Sequence, residues 1–126
     1  MTEQSLKSNE AMEDPLPLTG VRVVEFTHMV MGPTCGMILA DLGAEVIKVE
    51  PPGGDRTRKL PGLGIGFFRS FNRNKMSVVL DINTTEGLEN AVELIGQCDV
   101  LLENFRPGMM EKFGLDYATM SARYPT

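Results

Sequence analysis

The segment Ala44-Glu-Val-Ile-Lys-Val-Glu50 is nearly continuously apolar at its centre and is stopped at once by Pro51-Pro-Gly-Gly54. Such a run is the length of a strand, and its pattern asks for cover on both faces, as in a parallel sheet. Parallel neighbours cannot be joined by a tight hairpin, so crossover helices must lie between the strands. The surrounding sequence supplies them. Val21 to Phe26 is rich in β-branched residues and reads as a strand. Gly32-Pro33 opens a helix through Met37, Ile38, Leu39 and Leu42 that closes at Gly43. Met76 to Asp81 reads as a third strand. Thr84, Thr85 and Glu86 begin a helix to Gln97 that places Leu88, Ala91, Val92 and Ile95 on one stripe. Asp99 to Phe105 is a fourth strand. Gly66 to Asn72 is expected as a short helix with Phe67, Phe68 and Phe71 turned inward, and two more short helices are expected near 108–113 and 115–122. The alternation predicts an α/β, Rossmann-like, doubly wound parallel sheet with right-handed crossovers. Residues 1–17, polar and acidic, predict a mobile tail, which leaves 18–126 as the folded part.

In such sheets ligands bind outside the carboxyl ends of the strands. Those ends are His28 to Gly32, Glu50 to Gly54, Asp81 to Asn83 and Asn104 to Gly108. No apolar run approaches 18 residues and the N-terminus has no apolar h-region, so neither a membrane helix nor a secretory signal is expected. Cys35 and Cys98 fit no CxxC motif and read as buried thiols in a reducing cytoplasm. Arg56, Arg58, Lys59, Arg69, Arg73 and Lys75 form a basic window without Asp or Glu. In a chain of net charge -5 that window suits a polyanionic small molecule better than a nucleic acid. A solvated loop with scattered charge accounts for it equally well on charge alone. Gly62-Leu-Gly-Ile-Gly66 misses the third glycine of a dinucleotide fingerprint. There is no Walker loop, no GxSxG and no metal-ligand cluster, and His28 is the only histidine. A lone histidine at a strand end is more often structural than catalytic.

Together the strand-end segments resemble the family III CoA-transferases, the CaiB/BaiF family. The matching blocks are Leu18 to His28, Gly32-Pro33, Leu39 to Asp55, Asn72 to Asp81, Asp99 to Gly108 and Phe113-Gly-Leu-Asp-Tyr117. The resemblance spans about 18–126 and implies an enzyme that moves CoA from an acyl-CoA donor to a carboxylic acid. It implies an aspartyl mixed anhydride followed by an aspartyl-CoA thioester. CoA esters are then substrates, with no prosthetic group and no metal, and the full-length protein is expected to be a homodimer. The resemblance places His28, Met29 and Met31 along the thioester end of CoA, and Leu80, with Asn83 near it, by the adenine. It places Asn104, Phe105, Arg106, Met109 and Lys112 along the pantetheine and phosphates.

Two positions depart from the formate-transferring members. Pro51 stands where they carry an arginine facing the nucleotide, so Arg56 or Arg58 is expected to serve instead. Val30 stands where they carry a glutamine. The family's catalytic aspartate falls beyond the last matching block, and no acidic residue here occupies its motif, so no catalytic residue is assigned. The chain is therefore expected to be an N-terminal part of the large domain, inactive alone, with an uncovered sheet edge and apolar helix faces. A non-enzymatic CoA-binding fragment and an α-methylacyl-CoA racemase are the alternatives. A free-standing flavodoxin-like signalling domain lacks support, because no acidic cluster ends the first strand.

Overall fold

A computed structural model describes residues 14–125; residues 1–13, most of the expected tail, and Thr126 lie outside the described part. Four strands form one parallel sheet in the order β3-β2-β1-β4, with β1 at Arg22–Phe26, β2 at Glu45–Glu50, β3 at Met76–Val79 and β4 at Val100–Glu103. The crossovers carry α1 (Met31–Asp41), α2 (Phe67–Phe71) and α3 (Thr85–Gly96), and α4 (Met109–Phe113) and α5 (Tyr117–Arg123) follow β4. The third and fourth strands are shorter than the apolar runs that announce them.

Two cores show that the sheet is covered on both sides. Val24, Phe26 and Val49 pack against Ala91, Val92 and Ile95 of α3, and against Met110, Leu115 and Met120. The expected α3 stripe is thus the buried one, with Leu88 at its half-buried margin. Thr84 caps that helix, its hydroxyl accepting from the Gly87 amide at 3.0 Å. On the opposite face Val23 and Val46 pack against Ala40 and Ala44 beside α1. Gly43 takes φ +103° beyond the α1 terminus, where a side chain would be strained.

The α1 face changes chemistry along its length. Toward the amino ends it is apolar, through Val23 and Val46. Toward the carboxyl ends it presents Glu25, paired in register with Lys48, and then Glu50. Gly36 of α1 lies directly over Glu25, where a Cβ would collide with the carboxylate. The helix can approach the buried charges only because that position has no side chain.

Two expectations need correction. Cys35 is exposed, because its position on α1 faces away from the sheet, while Cys98 is half-buried and its thiol is pushed up by burial. Phe67, Phe68 and Phe71 are half-buried rather than turned fully inward. Phe67 and Phe71 meet edge to face at 5.7 Å, and Phe68 lies 3.7 Å beneath the Arg58 guanidinium.

Gly36→Ala is expected to destabilise the fold by about 1–3 kcal/mol through overpacking against Glu25. Urea unfolding should show a lower midpoint at unchanged slope.

Candidate functional site

The strand order reverses between β1 and β4. The chain steps from β1 to β2 to β3, then returns to lay β4 on the other side of β1. At such a switch point the loops leaving the two strands part and leave a crevice. Here those loops carry His28 and Asn104. Asn104 clamps His28 twice: the His28 amide donates to Asn104 Oδ1 at 3.0 Å, and Asn104 Nδ2 donates to the His28 carbonyl at 3.0 Å. The His28 and Phe105 rings stand 5.8 Å apart. Gly32 lets α1 start against this junction, since a Cβ there would lie 2.7 Å from the Asn104 side chain and 2.8 Å from that of Thr27. Met29 turns the loop in the left-handed region, φ +66°.

His28, Met29 and Met31 are exposed at this junction, Met31 at 80%. Phe105 both borders the crevice and packs on the α3-side core. Arg106 is exposed and makes no ion pair among the described residues. Gly108, at φ +88°, turns the chain into α4, on which Met109 is half-buried and Lys112 exposed, with the Lys112 ammonium 5.8 Å from the Phe113 ring. Leu80 lies apart, at the end of β3. Its amide donates to the Glu50 carbonyl at 3.0 Å and its side chain packs on the α3-side core. Asn83 folds back on Asp81, with amide and side chain both 3.1 Å from one carboxylate oxygen.

Beneath the crevice lies a charge cluster that sequence reading does not anticipate. Lys48 is buried and donates to the Thr27 carbonyl at 2.7 Å, with Asp55 at 3.1 Å and Glu25 at 3.6 Å. Lys75 reaches in to Glu25 Oε1 at 2.8 Å and also donates to the Pro33 carbonyl and Asn72. Arg58 forks onto Glu50 at 2.6 and 2.7 Å, and Ser77 donates to the same carboxylate at 2.7 Å. Burial alone would raise the Glu50 carboxyl. Arg58, the Asp55 amide and Ser77 outweigh it and hold the pKa down at about 2. Asp55 is likewise lowered against its burial by the Thr57 hydroxyl and amide and by Lys48. For Lys75 burial prevails and its pKa falls, despite Glu25.

This cluster revises the basic window. Lys75 and Arg58 are engaged internally, and Arg73 pairs with Asp41 at 2.6 Å. Arg58, expected as a stand-in for the missing arginine, is held by Glu50. Arg56 is exposed. Arg58, Arg69, Arg73 and Phe68, all on the segment connecting β2 to β3, line a cleft of about 390 Å³ separate from the His28–Asn104 junction. A wider groove of about 1130 Å³ runs along the free side of β4, bounded by Val100, Leu101, Phe105, Tyr117, Met120 and Tyr124. The residues described include no cluster of three His, Cys, Asp or Glu side chains able to hold a metal.

A doubly wound parallel sheet whose strand order reverses between β1 and β4 is an α/β architecture of the kind that receives ligands at that reversal. Residues 18–126 match the family model of CoA-transferase family III, and the chain belongs to that family. It is 42% identical to the CoA-transferase/lyase DddD of Marinomonas sp. (strain MWYL1), over 90% of this chain and 13% of that protein. It is 48% identical to a formyl-CoA:oxalate CoA-transferase of Bradyrhizobium diazoefficiens, over 79% of this chain and 25% of that one. Among solved structures, the Rv3272 protein of Mycobacterium tuberculosis superposes with a TM-score of 0.84 at 45% identity, over 90% of this chain and 32% of that chain. The chain thus spans less than a third of each of these relatives.

Glu50 sets an acid-stability test. Its folded pKa lies below the ordinary 4.5, so its stabilising contribution is full above that value and is lost as pH falls toward about 2. Glu50→Gln should flatten the fall in unfolding free energy over that interval. Denaturant titrations at stepped pH would show wild-type and variant curves converging at the acid end.

Proposed function

We propose that the chain supplies the CoA-binding crevice of an enzyme that transfers CoA from an acyl-CoA to a carboxylic acid through an aspartyl-CoA thioester. The reading rests on one observation above all. The switch point brings together His28 and Met29 from one loop and Asn104 and Phe105 from another, 76 residues away, by two reciprocal hydrogen bonds. Membership of family III supports the coarse chemistry, since its transferases handle CoA thioesters. On this reading the thioester end runs past His28, Met29 and Met31. Phe105 and Met109 offer apolar surface to the pantetheine. Arg106 and Lys112, cations on the same flank, pair with phosphate oxygens. Leu80 contributes apolar surface for the adenine. The nucleophilic aspartate belongs to sequence outside residues 1–126, and the whole enzyme is a cytoplasmic homodimer.

Three described acids near the strand ends are already engaged. Glu50 and Asp55 are buried and hydrogen-bonded in the charge cluster, and the Asp81 carboxylate accepts from Asn83. Incubated alone with a panel of acyl-CoA donors and carboxylates, the chain is expected to give no transfer above the uncatalysed rate. Turnover in a preparation free of host transferases would place the nucleophile within these residues and refute this assignment.

CoA titration by calorimetry should show binding that weakens with salt, because the phosphate pairs are screened. Arg106→Ala or Lys112→Ala should weaken it by about 1–3 kcal/mol. Salt-independent binding, or wild-type affinity in both variants, would remove these cations from the site.

A further inference from the structure

We propose that Lys48 is the positioning residue of the His28 loop, acting from beneath the crevice through the Thr27 carbonyl. The proposal rests on the reading that this loop meets the CoA ester. Lys48 is 1% exposed, so its ammonium has no solvent to turn to. It donates to the Thr27 carbonyl at 2.7 Å and lies 3.3 Å from the Thr27 hydroxyl, which itself donates to Glu25 at 2.9 Å. Asp55, from the loop after β2, stands 3.1 Å away on its other side. One cation therefore ties the loop leaving β1 to the loop leaving β2.

The next residues show why such a tie matters. His28 is clamped by Asn104 from the β4 side, and Met29 immediately takes φ +66°. A left-handed non-glycine residue is strained and persists only where its surroundings over-determine it. Lys48 below and Asn104 beside supply that over-determination. Lys75 is a suitable contrast. It is buried in the same cluster and shares Glu25, but it holds Asn72 and the Pro33 carbonyl rather than Thr27.

His28 is the only histidine in the sequence, so a single imidazole resonance reports the loop without any ligand. With the Phe105 ring 5.8 Å away, that resonance should sit off the free-histidine position. Lys48→Met should move it to the free-histidine position while the amide dispersion of β1 and β2 persists. Lys75→Met should lower stability and leave the resonance where it was. An unmoved resonance in Lys48→Met, or an equal shift in Lys75→Met, would overturn the proposal. Should Lys48→Met fail to fold, the charge-balanced pair Lys48→Met with Asp55→Asn is measured in its place. Failure of both to fold would make Lys48 a folding residue and likewise overturn it. CoA titration of the wild type separates the two readings, since absent binding sinks the CoA site but not the loop result. Where CoA binds, Lys48→Met should weaken it about tenfold or more, as displacement of a positioned group does, and Lys75→Met less than about twofold.

Discussion

Everything at the carboxyl end of this sheet depends on a buried, balanced set of charges. Glu25, Glu50 and Asp55 face Lys48, Lys75 and Arg58, and all but Arg58 are largely removed from water. Taking an ion out of water costs several kcal/mol, and attraction offsets that only with good geometry and filled hydrogen-bonding capacity. The set meets most of that demand through Thr27, Thr57, Ser77 and backbone groups. One oxygen each on Glu25 and Asp55 lacks a hydrogen-bond partner, although Asp55's still faces the Lys48 ammonium. A purely apolar filling would hold β1 to β2 at least as well. What it could not do is grip the carbonyl of Thr27 or the amide of Asp55, where the strands have ended and the loops begin.

Above the cluster the architecture does the rest. Two strands that are neighbours in the sheet but distant in the chain release their loops side by side, and Asn104 joins them through His28. Glycine at 32 and 36 brings α1 close enough for its first turns to roof both the junction and the charges.

Most of the secondary structure was legible from periodicity and punctuation. The α3 stripe, the Gly43 stop and the apolar β2 run each point to one element, and local propensity agrees with the final packing there. The doubly wound order followed from the alternation. The charge cluster did not, although its signal is present. Glu25 and Lys48 each interrupt an apolar run, and in register-matched parallel strands they become neighbours. Reading that pair requires the register, which no local pattern supplies. The basic window was misleading for the same reason, since three of its six cations close onto acids from elsewhere in the chain. Cys35 was placed inside by its residue type, whereas helical phase put it outside.

The reversal of strand order also bears on how the molecule assembles. β1, α1 and β2 are consecutive, and their strand pairing spans 23 residues, Arg22 to Glu45. The contacts that build the crevice span 76 residues, so the entropy of closing that loop must be met before either wall has its partner. Topologies dominated by such distant contacts fold more slowly than those built from local ones. A nascent chain that has produced β1 through β3 carries His28 and the charges beneath it, yet has no crevice. The crevice comes into being only with β4, as the same event that completes the four-stranded sheet.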